Sequence, residues 1–455
     1  YSVRCVREGS DSGSSTPDPG PTPDPEVDLS QYTDLSAEGT ANCYLVKNAG
    51  NYKLKAVKGN SDTSVGDVQR ASVLWETFGT DVMPNVGDLV TNAGYKDGYV
   101  YFSTPATFAN GNASIAVHDT SGTILWSWHI WCSVEGWEDD VYANNAGALM
   151  DRNLGATSAI PGSVGALGLM YQWGRKDPFL GASSTSENKL AVSTGNWIVN
   201  SSQQTVEYAC QNPTTFIHGN DEWCIGDGSG NATGKLRWKV LDKTMYDPCP
   251  VGYRVVDGGT DGFWSKSITS TSRDVTNNGM EWTLADGTIA WYPAAGLLHA
   301  DVKINNVGEG CYWSASPYSL LSYPGHAFSF TFIRSNQYSA ATAVGFGRSN
   351  GCSVRCFREG SDSGSSSPDP EPTPDVPATH KILYTSTDGN IVTPHKTDVF
   401  GANIVSNTYK DGQGVITFDG AVIEIGSYAF MGCENLKAII IPDGTISIGA
   451  GAFVS

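Results

Sequence analysis

Charge is scarce in this 455-residue chain: Asp, Glu, Lys and Arg make up 16% of it, and acidic residues outnumber basic ones 47 to 28. The resulting net charge of −19 argues against nucleic acid or an anionic membrane as the main partner, because both need a positive field. No apolar run reaches the length of about 18 residues that a membrane-spanning helix needs. The chain starts without an initiator Met, signal peptide or lipidation Cys, so Tyr1 reads as an internal residue exposed by processing. The ten cysteines (Cys5, Cys43, Cys132, Cys210, Cys224, Cys249, Cys311, Cys352, Cys356 and Cys433) include no C-x-x-C pair, which removes zinc-ribbon and thioredoxin readings. Seven histidines (His118, His129, His218, His299, His326, His380 and His395) show neither H-E-x-x-H nor H-x-H spacing, and Walker and dinucleotide-binding glycine loops are missing. His129, inside SWHIW, reads as a packed strand histidine. Enzymatic chemistry therefore has little to stand on.

What the chain does have is duplication. Residues 2–24 read SVRCVREGSDSGSSTPDPGPTPD, and residues 353–375 read SVRCFREGSDSGSSSPDPEPTPD; only Val6/Phe357, Thr16/Ser367 and Gly20/Glu371 differ. The second copy closes a large domain, so the first reads as the end of an earlier, similar one, and the chain as one period of a modular array. Aromatics reach 11%, with 13 Trp and 20 Tyr beside 52 Gly, a composition that suits loop-rich β structure in two to four domains. Scattered cysteines in an acidic, Trp-rich chain fit an extracellular or outer-cell-surface protein with a few disulfides.

The organisation follows from composition. Residues 1–9 are read as the terminal strand of a preceding repeat, and residues 10–30 and 361–378 as Ser/Gly then Pro/Asp spacers. Residues 31–131 alternate apolar and polar positions (CYLVK at 43–47, YVYFST at 99–104, TILWSWHIW at 123–131), as in an immunoglobulin-like β-sandwich. Residues 132–360 are a loop-rich α+β stretch carrying nine of the Trp residues, from Trp137 to Trp313. Residues 379–455 begin with strands and then repeat: Ile425-Gly-x-x-Ala-Phe430 recurs as Ile448-Gly-x-x-Ala-Phe453. That period suits a leucine-rich-repeat solenoid whose coils bury their apolar edges only by stacking; the expectation is a solenoid start without its cap. The fold class expected is thus multidomain and mainly β with α+β.

MDRNLGAT (150–157), GLMYQWGRKDPF (168–179), YDPCPVGYRV (246–255), CYWSASPY (311–318) and SVRCFRE (353–359) together resemble the Fibrobacter succinogenes major paralogous domain of Bacteroidetes surface proteins. The resemblance implies a C-type-lectin-like domain over residues 132–360. Residues 31–131 resemble the module that often accompanies it. Residues 380–455 resemble BspA-like leucine-rich repeats. These resemblances imply surface location and binding, and none implies a reaction.

Several side chains are candidates for function. Tyr318, Tyr323, Tyr338, Phe346, Arg348 and Asn350 lie in loop-like sequence around the alternating strand 326–334, and aromatic and Arg side chains supply contact area at low entropic cost. In that strand Phe328, Phe330 and Phe332 share one face, read as core, which leaves Ser329 and Thr331 on the other as ligand contacts. Asp221, Asp227 and Asn231 offer oxygens to a calcium ion, the one cofactor considered, although the lectin-type signatures Glu-Pro-Asn and Trp-Asn-Asp are missing. Glu138-Asp139-Asp140 and Asp221-Glu222 have the residue types of glycosidase carboxylates, but turns use them equally. Tyr171–Asp177 is either a sugar-stacking shelf or a structural motif with Trp173 in the core and Arg175 paired to Asp177. For disulfides, Cys249 is expected to pair with Cys356 and Cys311 with Cys352, Cys352 and Cys356 sharing one face of a strand, while Cys210 and Cys224 pair locally. The function expected is an adhesin-like module recognising a glycan or protein. The alternative is a stalk or filament subunit, in which the first VRC strand pairs with a neighbouring copy.

Overall fold

The computed structural model describes residues 27–225, 237–240, 242–299, 302–318, 323, 325–332, 340–362, 378–410, 413–442 and 445–454. Strand accounts for 40% and helix for 5%, so the chain is mainly β. The residues up to Asp362 form one compact unit and the later ones a second. The expected N-terminal strand, both spacers for most of their length, Tyr338, Asp227 and Asn231 lie outside the described residues.

The first unit opens with β1 (Thr33–Asp34), β2 (Cys43–Val46), β3 (Gly50–Lys55), β4 (Arg70–Thr77), β5 (Thr91–Lys96), β6 (Tyr99–Thr104), β7 (Gly111–His118) and β8 (Ile124–Cys132). They form two four-stranded sheets, ordered β1–β3–β6–β5 and β2–β8–β7–β4. β6 alternates half-buried and buried positions, with Val100 and Phe102 inside, as a one-sided strand should. Leu54, Phe102, Ile115 and Trp128, drawn from both sheets, share a core; the two sheets therefore pack against each other.

β7 is buried along its whole length, and β8 at all but its first two residues. Both faces of these strands are covered, because Cys43, Trp75 and Trp131 turn into a second core with Trp173, Trp313 and Val354. The boundary expected at Trp131 thus runs through packed interior. Trp131 Nε1 donates to the Ala156 carbonyl (3.0 Å), and Asn112 Nδ2 to that of Gly155 (2.9 Å). Asn42 Nδ2 reaches the carbonyls of Met245 and Asp247 at 2.7 and 2.8 Å.

The remainder of this unit contains β9 (Asp139–Tyr142), β10 (Gly147–Met150), β11 (Met170–Gln172), β12 (Ile198–Asn200), α1 (Val206–Gln211), β13 (Thr215–Ile217), β14 (Tyr253–Val255) and α2 (Phe263–Ser267). Next come β15 (Thr271–Asp274), β16 (Gly279–Thr283), β17 (Ile289–Pro293), β18 (Leu297–His299), β19 (Lys303–Asn305), β20 (Gly310–Pro317), β21 (His326–Phe332), β22 (Ala341–Gly347), β23 (Gly351–Ser353) and β24 (Cys356–Arg358). The largest sheet runs β19–β18–β23–β20–β21–β22, with β11 also on β23; a second runs β14–β24–β10–β9. The YDPCPVGYRV stretch owes its shape to Asp247. This buried carboxylate accepts from the backbone N–H of Cys249 and Val255 (both 2.9 Å) and from Lys243 Nζ (2.7 Å).

SVRCFRE does not form one strand. The chain leaves the large sheet after Ser353 and enters the other at Cys356, so Cys352 and Cys356 belong to different sheets. Arg355 makes the crossing inside the protein, over the Tyr292 ring at 3.9 Å and donating to the Trp291 carbonyl at 2.8 Å. Cys356 is joined to Cys249 and Cys352 to Cys311.

β21 also departs from its simple alternation. Phe330 and Phe332 enter a core with Trp264, Trp282 and Tyr292, whereas Phe328 is half-buried against Tyr318 (4.8 Å, edge-on). The opposite face is interior as well: Ala327 belongs to the core of Trp173 and Trp313, and Ser329 is 1% exposed.

In the second unit β25 (Lys381–Ser386), β26 (Ile404–Lys410), β27 (Gln413–Phe418) and β29 (Leu436–Ile440) form a sheet ordered β26–β27–β25–β29, while β28 (Glu424–Ile425) pairs in parallel with β30 (Ser447–Ile448). Glu424 opposes Ser447 and Ile425 opposes Ile448, which is the sequence repeat laid in register. Phe430 N–H donates to the Ala452 carbonyl (2.7 Å) and Gly432 N–H to that of Val454 (2.8 Å). Phe430 and Phe453 stack with centroids 5.6 Å apart.

Candidate functional site

The large sheet ends, at the β20–β21 and β22–β23 connections, beside the segment 220–225. A buried charge cluster ties these pieces together. The Glu222 carboxylate accepts from Arg237 Nη1 and Nη2 (3.0 and 3.2 Å) and from Arg348 Nη1 (2.8 Å). Both guanidinium groups lie over the Trp173 ring, Arg237 at 4.8 Å and Arg348 at 4.4 Å. Arg348 Nε donates to the His326 carbonyl (2.9 Å), and its backbone N–H to that of Gly325 (2.9 Å). Ser349 N–H reaches the Asp221 carbonyl at 3.1 Å and its hydroxyl the Asn220 carbonyl at 2.5 Å. Gly325 packs closely here: a Cβ would sit 3.0 Å from the Glu222 Cβ. A charge cluster of this kind holds its shape, since removing one member leaves another buried and unpaired.

Over this anchor lies a rim of aromatic and polar groups. Tyr323 is 51% exposed and meets the His326 ring edge-on at 5.0 Å. Tyr318, half-buried, lies 6.5 Å from the same imidazole. Burial lowers the His326 pKa below the ordinary value; Asp221 opposes the shift and Arg348 adds to it. Asp221 is exposed nearby, and Asn350 donates from Nδ2 to the Gly347 carbonyl at 3.0 Å. An exposed phenol ring beside an imidazole and a carboxylate offers a stacking face with hydrogen-bond donors and acceptors around it. That combination suits a sugar ring or the side chains of a protein.

The structure divides the other expected ligand contacts. Arg348 is 1% exposed and held by Glu222 over the Trp173 ring from its turn between β22 and β23; Ser329 is interior because β21 is covered on both faces, and its hydroxyl donates to the Val344 carbonyl (3.2 Å). Thr331 and Phe346 line a separate apolar cleft of about 170 Å³. Asp221 has no metal-ligating cluster around it among the described residues. Arg175 is not paired with Asp177: it donates to the carbonyls of Thr215 (2.7 Å) and Ala209 (3.2 Å), while Asp177 takes Lys176 Nζ (2.7 Å) and Ser127 Oγ (2.6 Å). Arg175 is drawn off by these loop carbonyls, which leaves the adjacent Lys176 as the charge partner of Asp177. Trp173 is fully buried, which leaves no stacking shelf at this motif.

Cys210 and Cys224 are not bridged. Cys210 packs into the core shared by the first two sheets and Cys224 into a small cluster with Ala209, Ile217 and Trp223. Burial pushes the Cys210 thiol up to about 11.

His326, Arg237 and, except as a glycosidase-type carboxylate, Glu222 are residues of this site that the sequence did not mark for it. A histidine opening a strand between two tyrosines was the available signal for His326; for Glu222 none existed, since Arg237 and Arg348 are distant in sequence. Gly347-Arg348-Ser349-Asn350-Gly351 has the spacing of a hydrolase nucleophile elbow. Ser349, however, is 2% exposed in a turn between strands and is held by the Asn220 carbonyl, without the strand-to-helix context that exposes such a serine.

No family model, curated protein or solved structure matches the chain.

Proposed function

We propose that this chain is an adhesin-like binding module of a secreted or cell-surface tandem array, which holds a glycan or protein ligand at the Tyr318–Tyr323–His326 rim. The observation that carries the reading is an exposed tyrosine and a neutral-leaning histidine fixed over a buried ion cluster. Binding sites favour rigid aromatic groups of this kind, because little entropy is lost on contact. In this reading the sandwich is immunoglobulin-like, residues 132–360 are a C-type-lectin-like major paralogous domain, and the second unit begins a BspA-like leucine-rich-repeat solenoid. Two disulfides and the lack of a described helix long and apolar enough to cross a membrane agree with an extracellular setting.

The test is a glycan and surface-protein array probed with the intact chain and with Tyr318→Ala and Tyr323→Ala. We expect a hit that either substitution weakens by about tenfold or more at unchanged melting temperature. An array without hits, or hits indifferent to both substitutions, overturns the reading. A second reading, a stalk or filament subunit, is favoured by the parallel in-register stacking of the 23-residue repeat and by the duplicated VRC segment. Regular fibres in electron micrographs of the purified chain would select it.

A further inference from the structure

The cleft that receives Thr331 and Phe346 has features the rim does not explain. It opens at the Thr331–Phe332 end of β21, whereas the rim gathers at the His326 end. Leu297, Cys311, Phe332, Val344 and Phe346 supply apolar walls, and its volume is about 170 Å³. An enclosed apolar cavity of roughly 150 Å³ takes up a benzene-sized guest, so a cleft of this volume has room for one. The walls are firmly placed: Cys311 is tied to Cys352, Phe332 is 1% exposed in its core, and Phe346 packs on Trp313 at 6.0 Å. Gly310 keeps the cleft floor low, because a Cβ there would collide with the Phe332 ring.

One lining residue is charged. Glu309 is half-buried at the cleft. Its backbone is engaged, the carbonyl by Gly296 N–H (2.9 Å) and the N–H by Asn306 (2.9 Å). Its carboxylate makes no hydrogen bond or ion pair with a described residue. A carboxylate without a described partner beside apolar walls is available to pair with a cation, and the anionic chain as a whole favours the approach of positive charge.

We propose that this cleft is a second binding site, for a ring-sized apolar group carrying an amine. The apolar part fills the space between Leu297, Phe332, Val344 and Phe346, and the ammonium group pairs with Glu309. The cleft does not depend on the rim, so it stands whether or not the rim binds a glycan or protein.

The probes are benzylamine and its neutral counterpart benzyl alcohol, titrated into the intact chain and followed by ligand saturation-transfer NMR and by methyl resonances of Leu297 and Val344. We expect Kd on the order of 1 mM, well inside the ceiling for ligands of this size. We expect both probes to move the two methyl signals, with benzylamine the tighter. Glu309→Gln should weaken benzylamine by about threefold and leave benzyl alcohol unchanged. Val344→Trp, which fills the space, should abolish both. Tyr323→Ala should alter neither, which separates this site from the rim. Absence of methyl shifts with either probe in the unaltered chain overturns the site. Equal loss of both probes in Glu309→Gln, or no loss of benzylamine, overturns the amine assignment. Because Glu309→Gln leaves the apolar walls intact, the assignment remains testable even where Val344→Trp fails to fold.

Discussion

Burial takes His129 out of ordinary titration. It is 2% exposed, and its Nε2 lies 2.8 Å from Asn112 Oδ1. Since Asn112 uses its Nδ2 on the Gly155 carbonyl, the oxygen is the acceptor and His129 donates. Desolvation pushes its pKa from 6.5 down to about 3. Below pH 6.5 the unfolded chain takes a proton here and the folded chain does not. Stability from this group is therefore complete above pH 6.5 and falls by about 1.4 kcal/mol per unit as pH drops toward 3. His129→Gln keeps a donor for Asn112 but cannot titrate. Melting temperatures measured from pH 7 to pH 4 should fall less steeply in this variant; parallel curves would contradict the assignment. The same residue-level logic governs Arg348. As a loop arginine in an aromatic stretch it reads as a contact residue, yet Glu222, over a hundred positions earlier, draws it inside.

At the scale of elements, the second unit shows what a repeat requires. Ile425 and Phe430 of the first coil are 0% and 2% exposed, whereas their counterparts Ile448 and Phe453 are 52% and 39% exposed. The difference comes from what covers them: Ile425 and Phe430 share a core with Ile382, Phe400 and Phe418, and Phe430 is capped in addition by Phe453. Phe430→Ala should thus cost about 3–5 kcal/mol of the unit's stability, in the range for a buried phenylalanine, and Phe453→Ala clearly less. Denaturant unfolding of the two variants measures the gap, and equal losses would show that the coils do not stack as described. In the first unit the same contrast separates β6, with one wet face and clean alternation, from β7, buried throughout. Alternation announces a strand only where one face meets water.

Across the whole molecule, the first unit is closed by its last strands. β23 and β24 reach into two sheets, and each carries a disulfide to an earlier strand or loop. Cys249 and Cys356 are 107 residues apart, a loop for which crosslinking stabilises by on the order of 4–5 kcal/mol. Replacing both with Ser should lower the melting temperature of the first unit to a matching degree. A change within error would mean that the burial of Val354, Arg355 and Phe357 already suffices to hold the closing strands.

Local pattern determined a good deal: a mainly β chain, many of the strands in residues 31–131, and the 23-residue repeat, because periods of 2 and 23 are written in neighbouring residues. Continuity of chain past Trp131, with no linker, already implied an interface there; which residues build the shared core around Trp131 and Trp173 was decided by tertiary packing. So were the pairing of Glu222 with Arg237 and Arg348, the crossing of SVRCFRE between sheets, and the separation of Cys210 from Cys224. Each of these rests on contacts between segments tens to hundreds of residues apart. Which faces are covered, and hence which loop side chains remain to meet a ligand, depends on those contacts, and no local period encodes them.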